Sequence, residues 1–282
     1  MHMHETWLVT GVSRGLGRAL AQVLLERGRT VVGTTRSGTS DLVADGLRVV
    51  ALDVTDAARV PGAIAEAIEL TGGLDVVVNN AGQGLVGSLE DSTPEQVASQ
   101  LDVNFVSAVE VLRATLPHLR ERGSGHVVNV SSIAALAPLG GTAVYAAAKC
   151  ALSGLSEALA GELAPFGIGV TVVEPGALRT EFLSEASLLH ADGRDAAYEE
   201  ARRTARERTR AASGHQAGDP VRAAEAIVDA VESDAPPVHL VLGADAVDRA
   251  RARAATLLAE LDAWEEVSRS IGFPAPEVTS PR

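Results

Sequence analysis

The chain has 282 residues, a formal charge of −13 and a single cysteine, Cys150. That length suits one α/β domain with a large core, here taken over 1–282, while the acidic balance excludes the basic stripe of a nucleic-acid surface. One thiol excludes an internal disulfide framework or a Cys-based metal cluster.

Nothing in the chain reaches the ~18 consecutive apolar residues that span a bilayer. The start, Met1 to Thr6, lacks the basic and apolar regions of a signal peptide, and no His pair has helical metal-ligand spacing. A cytoplasmic protein with no membrane, metal or nucleic-acid partner is expected.

In chain order, short apolar runs alternate with longer amphipathic stretches, the pattern of βαβ units around a parallel sheet. The runs are Trp7 to Thr10, Thr30 to Thr34, Leu47 to Leu52, Leu74 to Asn79, His126 to Val130, Gly169 to Glu174 and Val238 to Leu242. They predict an α/β fold, a doubly wound parallel seven-stranded sheet that is Rossmann-like, with helices on both faces. Ser184 to Asp219, rich in charge and small residues, reads as an insertion folded over a site, although Arg202 to Arg210 fits a solvated surface helix equally well.

The first run ends in Thr10-Gly11-Val12-Ser13-Arg14-Gly15-Leu16-Gly17 and opens into an apolar-periodic stretch. Glycines at a strand-to-helix turn let the backbone approach a pyrophosphate, and the helix N-terminus adds unpaired N–H groups and a favourable dipole. The spacing is looser than the Gly-x-Gly-x-x-Gly fingerprint, so its position after the first strand carries the nucleotide-binding expectation. The second run ends in Thr35-Arg36-Ser37, where an acidic residue would mark NAD and an Arg accommodates the 2′-phosphate of NADP. With Arg36 there and Arg14 able to approach the same phosphate, NADP(H) is expected.

Asp53, followed by Val54, is placed either to accept from the adenine amino group or to cap a helix beginning near Asp56. Asn79-Asn80-Ala81-Gly82-Gln83-Gly84 leaves room for a ligand at the sheet's carboxyl edge, and Asn side chains can tie neighbouring loops together.

Tyr145 and Lys149 stand four residues apart, on one face of a helix. A phenol with a pKa of about 10 shuttles protons poorly at neutral pH, but a cation within ~4–6 Å favours the phenolate. Cys150, next on the helix, reads as a buried small apolar residue, since no His stands beside it in sequence.

By these motifs the chain resembles the short-chain dehydrogenase/reductase family in its single-domain branch. Thr10 to Gly17 is similar to the family's Thr-Gly-x-x-x-Gly-x-Gly, Asn80 to Gly82 to its Asn-Ala-Gly, and Tyr145 to Lys149 to its Tyr-x-x-x-Lys, and the likeness runs from residue 5 to 183. The resemblance implies a catalytic Ser thirteen places before the Tyr, at Ser132, with Ser131 its confusable neighbour. It also implies that Asn104 holds a relay water beside Lys149. In the implied reaction Ser132 holds the substrate oxygen, Tyr145 exchanges its proton, and Lys149 lowers the Tyr pKa and binds the nicotinamide ribose. Val130, Pro175, Gly176, Leu178 and Thr180 would surround the nicotinamide.

Candidate substrate walls are Gln83, Gly84, Leu85, Ala134, Leu139, Gly140, Gly141, Leu183 and the insertion from Ser184. They carry no basic cluster, so an apolar or cyclic ketone suits them better than a charged metabolite. Ala244 to Ser270 continues as a helix with Val247, Ala250, Ala254, Leu257, Leu258, Leu261 and Trp264 at helical spacing, a stripe more often packed in a core than on a partner. This tail is more like the branch resembling steroid and retinoid dehydrogenases. A homodimer through the helices near 95 to 120 and 143 to 165 is expected. An NADP-binding regulator without turnover, or an epimerase or isomerase using the same Tyr with retained cofactor, are the alternative functions.

Overall fold

The computed structural model describes residues 5–193 and 195–273, so the expectation for Met1 to His4 falls outside the described residues. Seven strands form one parallel sheet: β1 (Thr6–Thr10), β2 (Thr30–Thr35), β3 (Leu47–Ala51), β4 (Val76–Asn79), β6 (Gly125–Val130), β7 (Ile168–Pro175) and β9 (His239–Leu242). Their order is β3-β2-β1-β4-β6-β7-β9. It reverses between β1 and β4, and at such a switch point the loops at the carboxyl ends diverge and leave a crevice. The four residues of β4 are all buried, as are the six of β6, because helices cover both faces, and this is why these strands read as unbroken apolar runs.

On one face, α2 (Val60–Thr71), α4 (Ser107–Arg122) and α6 (Ala143–Leu163) cover a cluster that includes Leu8, Val77, Ile64, Leu112 and Leu159. On the other, α1 (Gly15–Glu26) and α8 (Pro220–Val231) pack over Trp7, Val9, Leu20 and Ile227. The helix expected near Asp56 begins instead at Val60, since Asp56 accepts from the Arg59 backbone in a turn before it.

Two features lie outside the sequence expectation, while a third, the Arg-rich run, follows its surface-helix reading. A small second sheet pairs β5 (Gly84–Val86) with β8 (Leu188–His190), fastening the start of the insertion to the loop after β4. The Arg-rich run of the insertion forms α7 (Glu199–Ala212), which buries no residue. The terminal helix α9 (Ala244–Arg269) is present, but its stripe does not pack on the core as expected. Ala246 is buried and Val247 and Ala250 half-buried, whereas from Arg251 onward every residue of the helix is exposed. Among the described residues no helix is long and apolar enough to cross a membrane.

Candidate active site

A cleft of about 650 Å³ opens at the carboxyl edge of the sheet. One end is bounded by Thr35, Arg36, Asp53 and Val54; its middle by Gly11, Ser13, Arg14, Gly15, Leu16 and Asn80 to Gly82. At the other end stand Val130, Ser132, Tyr145, Lys149, Pro175, Gly176, Leu178 and Thr180. Residues scattered over the sequence are thus gathered along one trough. Three expected members do not line it: Gly17 and Asn104 are buried behind its wall, and Ser37 is exposed outside it.

Gly17 is instead what lets the wall close. A Cβ there would fall 2.3 Å from both the Gly11 carbonyl and Asn80 Nδ2. Asn80 donates to the carbonyls of Thr10 (2.8 Å) and Gly11 (3.1 Å), tying the loop after β4 to the glycine loop. Gly11 adopts φ 73°, which favours glycine. Asp53 neither caps a helix nor stands free, because its Oδ1 accepts from the Thr55 amide at 3.1 Å and the Thr55 hydroxyl at 2.8 Å.

At the catalytic end the two serines separate. Ser131 is buried and donates to the Lys149 carbonyl at 3.0 Å, bracing the helix. Ser132 caps the short helix α5 (Ile133–Leu136), accepting from the Ala134 amide at 3.1 Å, and lines the same end of the cleft as Tyr145. Lys149 is buried and donates to the Val130 carbonyl at 2.9 Å. Asn104 lies in a single π-helical turn, Asp102–Val106, that runs on from α3 (Pro94–Leu101) and into α4. Such turns re-aim a side chain out of the helical register. Here Asn104 donates to the Gln83 carbonyl at 2.9 Å and accepts from the Gln83 amide at 3.2 Å. A Cβ on Gly82 would lie 2.9 Å from Asn104 Oδ1 and 3.4 Å from Lys149 Nζ, so both groups flank one glycine.

The electrostatics differ from the sequence expectation. Burial pushes the Tyr145 phenol above its usual value, and the Ser132 hydrogen bond only partly opposes this. Burial also lowers Lys149 to about 8. The ammonium faces a carbonyl, and desolvation outweighs any pull it exerts on the phenol. Tyr145 therefore holds its proton at neutral pH. Cys150 is exposed rather than buried; its thiol lies 3.1 Å from the Ala135 carbonyl, and burial of its surroundings raises its pKa, the reverse of nucleophile activation.

The outer wall is also revised. Gly84 and Leu85 are taken up in β5, and Gly140 and Gly141 line a separate cavity of about 300 Å³ beside α7. Ala134, Leu139 and Leu183 do line the cleft, as does Gln216 of the insertion, joined by Phe182, Asp245 and Arg249, which sequence reading passes over. Phe182 packs 6.1 Å from the Tyr145 ring. Asp245 accepts from the Ala177 amide at 3.0 Å, and Arg249 donates to the Ala137 carbonyl, so the first turns of α9 form part of the mouth. No local motif marks these residues, because a helix over 60 positions away in sequence delivers them.

Arg14 donates to the Ala186 carbonyl at 3.0 Å, joining the glycine loop to the insertion. Arg18, one turn along α1, ion-pairs with Asp41 in the loop after β2.

The model of the family described as short chain dehydrogenase matches residues 5–188. The chain belongs to the short-chain dehydrogenase family. As an oxidoreductase of that family it is 35% identical to oxidoreductase BOA17 of Botryotinia fuckeliana, over 94% of this chain and 98% of the relative. It is 37% identical to 3-ketodihydrosphingosine reductase of Bacteroides thetaiotaomicron, over 68% of this chain and 70% of that one. A crystal structure of a short-chain dehydrogenase from Streptomyces avermitilis superimposes with a TM-score of 0.88 at 40% identity, covering 96% of this chain and all of the other. Two more distant structures, each 26% identical, were solved with different cofactors. A Burkholderia cenocepacia short chain dehydrogenase holds NADP (TM-score 0.71, 91% and 95% covered), and a Brucella melitensis 3-ketoacyl-(acyl-carrier-protein) reductase holds NADH (0.70, 84% and 95%).

Proposed function

We propose that this short-chain dehydrogenase interconverts a ketone and a secondary alcohol with NADP(H), using Tyr145 as acid and base. The observation that carries the reading is that Ser132, Tyr145 and Lys149 line one end of a trough whose other end is bounded by Arg36. The trough fits a dinucleotide. Glycines make its floor, no acidic side chain follows β2 at position 36, and the apolar end accepts a flat ring between Val130 and the Pro175–Thr180 segment. When bound, a nicotinamide cofactor supplies or takes up the hydride.

The chain's own part is proton handling. Ser132 orients the substrate oxygen toward the phenol, and Tyr145, held protonated by burial, delivers its proton to the oxygen as charge develops there. Lys149 and Asn104, flanking Gly82, form the route by which that proton is restored. Arg36 and Arg14 would hold the ribose phosphate, and Thr180 the carboxamide end.

The walls Ala134, Leu139, Phe182 and Leu183 favour an apolar or cyclic ketone. The Bacteroides relative, named for a keto substrate, supports the same direction. Turnover of a carbonyl panel, followed by NADPH absorbance with NADH in parallel, tests the reading. Consumption of NADPH with hydrophobic ketones is expected; isomerised product without NADPH consumption, or binding with no turnover on any carbonyl, overturns it.

A further inference from the structure

The distal half of α9 carries an apolar stripe with nothing against it among the described residues. Leu257 is 45% exposed, Leu258 61%, Leu261 56%, Trp264 63% and Val267 56%. From 26 residues at ~1.5 Å each the helix is about 39 Å long, and its body contacts end near Arg249 and Ala250. Most helical stability comes from packing an amphipathic face, and a stripe this apolar is seldom left wet.

Two features of the sequence say what covers it. Val247, Ala250, Ala254, Leu257, Leu261 and Trp264 recur at alternating steps of three and four. That is the narrow seam by which two helices pair along their length, rather than the broad face of a helix lying on a sheet. The charges beside the seam are polarised: Arg251 and Arg253 precede Leu257, and Glu260 and Glu265 follow it. All four lie on the exposed part of the helix. A parallel copy would set arginine against arginine and glutamate against glutamate. An antiparallel copy crossing near Leu257 and Leu258 sets the arginines of each helix against the glutamates of the other.

We infer that α9 is a dimerisation arm, whose partner is the antiparallel α9 of a second copy of this chain. Such a pairing is isologous, each chain contributing the same surface, and it closes at two copies. Within one helix Arg253 lies 3.6 Å from Glu260 and Glu265 2.7 Å from Arg269, exposed ion pairs worth little, which an antiparallel copy exchanges for pairs across the seam. The polarity of charge thus selects a second copy over an unrelated apolar partner. Because Asp245 and Arg249 on the first turns of α9 border the cleft, the arm also holds that part of the mouth in place.

Native mass by light scattering at micromolar concentration tests this on the full chain. Leu258→Asp with Leu261→Asp should halve the mass of the wild type, whatever other interface the chain uses. A second pair of variants reads the orientation. Arg251→Glu with Arg253→Glu should dissociate the pair, and adding Glu260→Arg with Glu265→Arg should restore it. Equal masses for wild type and the Leu258/Leu261 variant, with both binding NADPH alike as a check of folding, would overturn the proposal. So would a charge reversal that leaves the mass unchanged, or one that the compensating changes do not rescue, which would point to a parallel copy or to another partner.

Discussion

Glu174 is wholly buried at the end of β7, with its Oε2 3.0 Å from Nδ1 of the part-exposed His239. Its other oxygen accepts from the Ser153 hydroxyl at 3.0 Å, and Ser153 lies 2.9 Å from Ser131, which braces the Lys149 carbonyl. A buried polar network is thus wedged between the last strands and the helix that carries Tyr145 and Lys149. Glu174→Gln keeps the shape but places an amide NH₂ against His239 or Ser153. It should cost about 1–3 kcal/mol of stability, from the usual worth of hydrogen bonds to charged groups. Thermal unfolding measures the loss. An unchanged melting temperature would show that the network is not structural.

The separation of Ser131 from Ser132 gives a sharper contrast. Ser132→Ala removes the hydroxyl proposed to hold the substrate oxygen, and turnover should fall by a factor of about 10² or more, as for Tyr145→Phe, the usual worth of a positioned acid–base group. Ser131→Ala removes a brace and should cost about 1 kcal/mol in stability with a far smaller loss of turnover. Steady-state kinetics of the two variants decide it, and the reverse ranking would exchange their roles.

Lys149 links pH to both stability and rate. Its folded pKa of about 8 lies below the ordinary lysine value near 10.4. Below pH 8 the amine is charged in both states and the full burial penalty is present. Between those values the unfolded chain holds the proton and the folded chain sheds it, so this group's contribution rises with pH there. Lys149→Met should therefore raise stability at pH 7 by up to about 3 kcal/mol, at one pKa unit per 1.36 kcal/mol, less what the freed Val130 carbonyl takes back. Its activity should be lost. In the wild type, kcat/KM should decline as pH passes about 8. Urea unfolding that shows the variant less stable at pH 7 would contradict the account.

The contrast between what the chain discloses and what it withholds has a physical basis. Strands such as Val76–Asn79 are legible because burial on both faces leaves only apolar residues, and the glycine loop because close backbone approach excludes a Cβ at Gly17. The pairing of Gly84–Val86 with Leu188–His190 is not, since three residues cannot display a period and their partners lie about a hundred positions apart. Asp245 and Arg249 reach the cleft through the docking angle of α9, which no local pattern encodes. The Tyr145 shift depends on how much water its ring loses, a property of the assembled cleft. Periodicity announced the apolar stripe of α9 but could not say whether the partner was this molecule's own core.

On the proposed reading, cofactor choice rests on guanidiniums of unequal role. Arg36 follows β2 and lines the cleft near Asp53, whereas Arg14 also ties the glycine loop to the insertion through Ala186. A hydrogen bond to a charged group contributes about 1.5–3 kcal/mol, roughly 10- to 150-fold in affinity. Arg36→Ala should raise the Kd for NADPH within that range and leave NADH nearly unchanged. Arg14→Ala should weaken NADPH and, by loosening residues 184–187 over the cleft, raise the KM of the carbonyl substrate as well. Titration with each cofactor, beside substrate kinetics for both variants, separates the two roles. An equal loss for NADH and NADPH in Arg36→Ala would show that this guanidinium does not read the phosphate.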